Sequence, residues 1–490
     1  MKKTIALFLT IFILTMAVCS CNVQKQNEQA VTSQYNEIPI ASIEKQTTYN
    51  SEKNETTIKK TESTSTSDNE IIITNETHTF KTGYKITSSF IEMPSRILIT
   101  GGAPSYYSKA DEEMYTFCFD PLCSHSNADC IALKFMTVGN MKNAVYSSET
   151  NRIYMPRGEN IFSMKFDSTD VKIEVSMGDD GKDLIKYPQS TMPIENLQIY
   201  DKYLFFVNIQ AKTIPNYYGD GASETIAVKT LFRYNCENRT IENLFERSGY
   251  EGNNFVNYYI ANEKIFFIDI NSENGARFHV CDIDFENIKD IENDNFSINT
   301  DEMIYDGERF FTVSSDFSID EVSGKSLAEN YYIICIDPNT EKNVQIGEKI
   351  IRGDNNKGNI KILAVTDEYI YYTENDPFLI GTLSSNGKET KFYTSDHTTY
   401  RISKDGSGKT VVFEGVTSAD PTILQYAIKE MYIFGSKVIA NVSANKYEPP
   451  RTLPNGKMAA NWQHTQFVTF DIAPDGSFVN MHELALDIDE

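Results

Sequence analysis

The chain of 490 residues has one tryptophan, six histidines and far too few positive charges for its length. Its 45 lysines and arginines face 69 aspartates and glutamates, a formal net charge of -24. That balance argues against nucleic acid as a partner, because neutralising phosphates requires clustered cations. It also argues against a protein lying flat on an anionic membrane. With Trp462 as the sole indole, carbohydrate stacking would fall to tyrosine. Apolar residues almost never recur at helical spacing. Beyond the N-terminus no apolar run is long enough for a membrane-spanning helix.

Catalytic signatures are equally scarce. There is no G-x-S-x-G elbow, and none of the histidines lies in an H-E-x-x-H setting. The stretch SKDGSGKT from Ser403 ends like a phosphate loop, but Ser403 replaces the first glycine and the following TVVFEG reads as strand. Without a helix N-terminus behind it, the stretch predicts a hairpin turn. It is also a near miss to the turn motif of sialidase propellers, which wants glycine at 407 and tryptophan at 410. The acidic stretches at Asp179 and at Asp282, Asp284 and Glu286 lack the alternating oxygen ligands of a calcium loop. Paired carboxylates exist in such an acidic chain, but none stands out by spacing. No constellation commits the chain to a reaction.

What is present begins at the N-terminus. Lys2 and Lys3 precede an apolar run from Thr4 to Ala17, and Ser20 then stands directly before Cys21. This resembles a bacterial lipoprotein signal, which implies residues 1–20 as signal peptide and lipidation, as by palmitate, at Cys21. An ordinary secretory signal shares the same charge, apolar core and small-residue site, and either reading implies export. Residues 21–75 are rich in Ser, Thr, Asn, Gln, Glu and Lys. They bury too little apolar surface to offset the entropy of ordering, and are expected to form a flexible tether. The expected location is the bacterial cell envelope. The lipid anchor would sit on the outer face of the cytoplasmic membrane, or in the outer membrane of a two-membrane cell.

Residues 76–490 carry a repeat. An extended apolar run recurs as RILIT at Arg96, RIYM at Arg152, YLFFV at Tyr203, KIFFI at Lys264, RFFTV at Arg309, YIYYT at Tyr369 and KVIAN at Lys437. Each is followed by a second run ending in a turn signal: YTFCFDP from Tyr115, IFSMKFDS from Ile161, LFRYNCEN from Leu231, FHVCDID from Phe278, YYIICIDP from Tyr331, YRISKDG from Tyr400 and FVTFDIAPDG from Phe467. Seven units with room for four short strands each predict an all-β, seven-bladed β-propeller. Two smaller β-domains are the alternative, but no linker separates them.

With the apolar run as second strand (B) and the turn-ending run as third (C), long insertions fall between B and C. They are Gly102–Glu113, Gln210–Thr230, Ser314–Asn330, Glu374–Thr399 and Asn441–Thr465. Alternate connections emerge on one face, so these five should share a rim. The candidate ligand-binding residues there are Tyr106, Tyr107, Tyr217, Tyr218, Tyr447, Arg451, Trp462 and His464.

The stretch CFDPLCSHSNADC, Cys118 to Cys130, sits where other blades have only a short C–D turn, which would place it on the opposite face. Three readings of Cys118, Cys123, His125 and Cys130 stay open: a disulfide with one thiol left over, a Cys3His site for zinc or a similar ion, or reduced packed thiols. This turn, with units such as EYIYYT followed by YRISKDG, resembles a family of uncharacterised bacterial lipoproteins. Their propeller domain is similar to that of the low-density-lipoprotein-receptor-related proteins. The resemblance implies a propeller and carries over no catalytic residue; the receptor YWTD motif is absent. The functional expectation is a surface-anchored module that binds or senses an extracellular protein, peptide or glycan. The alternatives are a propeller enzyme acting on an extracellular glycan or peptide, and a structural part of an envelope complex.

Overall fold

The computed structural model describes residues 88–484 apart from short internal stretches, the longest at 131–142, 178–190, 292–302 and 352–359. The chain divides into units Met1–Asn75 and Glu76–Glu490. The expected signal at 1–20, Cys21 and the expected tether lie outside the described residues. Among the described residues there is no α-helix, and so none that could cross a membrane.

Seven four-stranded antiparallel sheets follow one another along the chain, making a seven-bladed β-propeller. The blades span Phe90–Thr116, Val145–Ser176, Thr191–Ser248, Asn253–Ile291, Ile304–Ile351, Ile360–Phe413 and Leu424–Leu484. First strands (A) of successive blades lie against each other in blades 1 to 4 and again in blades 5 to 7, so strand A is innermost and D outermost. Strand B explains the apolar runs of the sequence. It is sandwiched between neighbouring blades on both faces, so alternation gives way to a continuous buried run. Ile97, Leu98 and Ile99 are fully buried, as are Leu204, Phe205 and Phe206. Strand D faces water instead: in Phe478–Leu484 only the two end residues are buried.

The C–D turns of blades 2, 3, 6 and 7 share one device. Asp167, Asn238, Asp405 and Asp475 each accept the backbone N–H and the hydroxyl of the Ser or Thr two residues on, at 2.5–3.0 Å. This is the local bonding that makes Asx–x–Ser/Thr a turn former. Those donated bonds hold the Asp167, Asp405 and Asp475 carboxyls below the ordinary aspartate range.

Adjacent blades are latched by polar groups at the same level. Arg233 stacks on Tyr203 with its guanidinium 5.0 Å from the ring centre, and reaches Asp284 of blade 4 at 2.6 Å. The equivalent Arg401 stacks on Tyr369 at 4.6 Å and donates to the Asp475 carbonyl of blade 7. Arg96 reaches from blade 1 over Phe166 of blade 2 at 4.3 Å. Among the described residues each blade is built from its own consecutive strands, with no strand exchanged between the first and last blades. Blade 7 meets blade 1 through Ile439, Phe434 and Phe467 against Ile97, Ile99 and Tyr107. Glu430 adds two bonds there, accepting the Ser89 N–H at 2.6 Å and hydroxyl at 2.7 Å.

The expected strand phase holds in blades 2 to 7 and fails in blade 1. There the third strand is Ser105–Ser108 and the run at Tyr115 belongs to the fourth, Met114–Thr116. Gly102–Glu113 is therefore no B–C insertion, because it contains a whole strand and the turn after it.

Candidate functional site

Four of the five expected insertions are β-ribbons. In blade 3, strands B and C pair without a break from Tyr203↔Asn235 to Pro215↔Ser223, while strand A stops pairing at Gln210. The five residues beyond Gln210 project roughly 17 Å past the blade at 3.4 Å per residue. Blade 5 extends to Ile319↔Ser326, and blade 7 to Thr452↔Met458. Blade 6 inserts a separate two-stranded ribbon, Pro377–Ser385 with Lys388–Ser395, which lies against strand B of blade 7. Strands alternate in direction, so all four ribbons rise from one face.

Tyr447 and Arg451 lie on the outgoing strand of the blade 7 ribbon. Trp462 and His464 lie on the returning one, paired with Lys446 and Ala444. Tyr217 and Tyr218 lie outside the described residues. Tyr106 and Tyr107 require a correction, because both are strand residues of blade 1 rather than rim residues. Tyr107 is 1 % exposed and packs on Phe434 across the ring closure. Tyr106 stacks between Tyr115 and Arg96.

The cysteine stretch also moves. Cys118 follows strand D of blade 1, so Cys118 to Cys130 belongs to the connection leading to blade 2 at Val145. In an antiparallel meander the D-to-A connection emerges on the same face as B–C. The cysteines therefore share the ribbons' face, not the opposite one. All six described cysteines are thiols, and the sulfurs of Cys118, Cys123 and Cys130 lie within 4.8 Å of one another. His125 lies outside the described residues. Cys281 and Cys335 are buried on strands C of blades 4 and 5, and burial pushes their thiols up to about 12 and about 11. They are inert core groups, unlike the three that converge.

Two further clusters arise only on folding. In blade 4, His279 stacks on Phe267 and meets Asp290 through Nδ1 at 2.8 Å and Asp269 through Nε2 at 3.5 Å. Those contacts pin the short outer strand Lys289–Ile291 to its sheet. Between blades 6 and 7, Lys361 Nζ donates to the Lys429 carbonyl at 2.9 Å, and Lys429 Nζ lies 2.8 Å from His397 Nε2. Lys429 stands at a β-bulge of an innermost strand, between Ile428 and Glu430. The extra residue of a bulge re-aims its side chain. Burial, then the charge of Lys361, brings the Lys429 ammonium down to about 8. Burial, then Lys429 and Lys361, holds His397 neutral down to about 3. No sequence spacing links these three residues.

No family model matches the chain, and no curated protein matches it. Among solved structures, oligopeptidase B from Leishmania major is similar over 70 % of this chain and 41 % of that one, with a TM-score of 0.40 and 9 % identity. A nidogen/laminin complex chain is similar over 67 % of this chain and 92 % of its own, with a TM-score of 0.28 and 9 % identity. The β-propeller domain of the trilobed protease from Pyrococcus furiosus is similar over 61 % and 99 %, with a TM-score of 0.26 and 11 % identity.

Proposed function

We propose that this is a bacterial cell-surface lipoprotein, anchored through Cys21, whose propeller binds an extracellular protein, peptide or glycan through its ribbon-bearing face. The supporting observation is the four β-ribbons rising from one face of an otherwise compact ring. Binding residues are disproportionately carried on long connections positioned by a rigid scaffold. The lipoprotein family of propellers related to low-density-lipoprotein-receptor-related proteins is the kinship that best suits the anchor, tether and cysteine stretch together.

At Cys118, Cys123 and Cys130 we infer a thiolate site for zinc or a similar soft ion. Tetrahedral zinc at about 2.3 Å from each sulfur places sulfurs roughly 3.8 Å apart, a modest closure of the observed cluster.

The test is a screen of immobilised peptides and envelope glycans against the protein and its Trp462→Ala and Tyr217→Ala variants. Binding lost in the variants, with every bound ligand recovered intact, supports a binder. Cleavage of a bound glycan or peptide makes the propeller an enzyme.

A further inference from the structure

The cleft between blades 6 and 7 concentrates positive charge in a chain whose net charge is -24. Lys361, on the innermost strand of blade 6, points toward blade 7, since its Nζ bonds the Lys429 carbonyl. Lys429, on the innermost strand of blade 7, reaches back to His397, directly after the inserted ribbon of blade 6. Among the described residues neither ammonium pairs with a carboxylate. The acids nearby are engaged elsewhere: Glu430 holds Ser89 of blade 1, and Glu374 pairs with Lys409. His397 supplies no negative charge either, so among the described residues no carboxylate balances the two cations.

A second observation bears on the same place. Lys361 is directly opposite Thr373, and Thr373 directly opposite Thr399, so all three side chains stand on the sheet face turned toward blade 7. The Thr373 and Thr399 hydroxyls are buried and have no hydrogen-bond partner among the described residues. Burying hydroxyls without hydrogen-bond partners, or ammonium groups without a counter-charge, is costly, and such groups generally mark where something else completes them. Lys361, Lys429 and His397 remain partly exposed, so the cleft opens to solvent. It opens at the ribbon end of the blades, because Lys361 lies near the start of strand A and His397 at the root of the blade 6 ribbon.

We infer that the blade 6–7 cleft is an oxyanion site, in which Lys361 and Lys429 bind a carboxylate or phosphate group of the ligand held on the ribbon face. The group would take the two ammonium charges, with the threonine hydroxyls as neutral donors. Charge-assisted bonds from two lysines suit an oxyanion of either kind, and the geometry does not require a planar fork such as arginine provides. This deepens the binding-face reading, and rests on it only for what carries the oxyanion.

The experiment measures the rate at which Lys429 of the purified protein is acylated at pH 8, followed by peptide mass spectrometry. Inorganic phosphate or acetate is titrated against chloride at matched ionic strength. An anion that binds the cleft favours the charged ammonium and covers it, so labelling of Lys429 should slow by about tenfold as the site fills. Surface lysines such as Lys172 should be unaffected. Lys361→Met should weaken the protection by about tenfold, a loss of roughly 1.4 kcal/mol in affinity. Protection by both anions supports a site for either oxyanion, protection by acetate alone assigns a carboxylate, and protection by phosphate alone a phosphoryl group. Labelling of Lys429 that responds to neither anion, or protection that survives Lys361→Met, overturns the inference. Ligand binding that depends on Trp462 without any protection of Lys429 removes the oxyanion site alone. Protection of Lys429 without ribbon-dependent binding removes the ribbon reading alone.

Discussion

Gly406 of blade 6 lies against Gly347 of blade 5, and replacing it with alanine should reveal how tightly the ring is packed. Gly406 has φ +86°, and an added Cβ would stand 2.5 Å from the Gly347 nitrogen and 3.0 Å from its Cα. A left-handed conformation costs an L-residue about 1–2 kcal/mol. Displacing backbone in a packed interface adds about 1–3 kcal/mol, because neither side is a flexible side chain. Gly408, two residues on in the same turn, is the internal control. It has φ +68°, but its nearest neighbour is the Ser403 hydroxyl oxygen at 3.8 Å. Gly408→Ala should therefore cost only the conformational part, about 1–2 kcal/mol. Guanidinium denaturation followed by far-ultraviolet circular dichroism should show Gly406→Ala less stable than Gly408→Ala by about 1–3 kcal/mol at unchanged slope. Equal losses would refute the close contact between the two turns.

Lys429→Met should raise stability at pH 7 by about 1 kcal/mol in chloride buffer, with larger gains opposed by the partial solvation of the ammonium. The folded protein holds Lys429 near 8 against an ordinary 10.5, so the unfolded chain binds more protons between those values. Wild-type stability must then rise with pH through that window relative to the variant, and denaturation at pH 7 and pH 10 checks the sign. Arg233→Ala should cost about 1–2 kcal/mol, since it loses Asp284, Glu242 and the Tyr203 ring, although both acids are largely exposed. Arg233→Lys should recover less than half of that in the same assay, because a single ammonium cannot serve both acids and stack. Intact mass, native and then denatured without reductant, should show an ion released from the Cys118, Cys123 and Cys130 cluster. A mass two hydrogens light with no ion would make the stretch a disulfide staple instead.

The sequence carried the blade count because strand B is buried on both faces and strand C ends, in blades 2, 3, 6 and 7, in an Asx turn. Blade 1 broke the pattern for a local reason. Its third strand is only Ser105–Ser108, and the stronger signal, YTFCFDP, follows the fourth strand. That single slip moved the cysteine stretch to the wrong face and turned Tyr107 from a core residue into a rim candidate. The insertions were legible by length but not as ribbons, since Pro449, Pro450 and Gly456 read locally as loop. The Lys361, His397 and Lys429 cluster was not legible at all. Its members come from strands of two blades and a ribbon root, and only ring packing brings them together.

The binding face is tested most directly by a hydrogen-exchange footprint of the protein with and without a ligand recovered from the screen. Protection is expected in the ribbons at Tyr203–Asn235 and Lys437–Ile472, and around Lys429, with no change at the C–D turns of Asp167, Asn238 and Asp475. Protection confined to those turns, with the ribbons exchanging as before, would place the ligand on the other face and contradict the assignment.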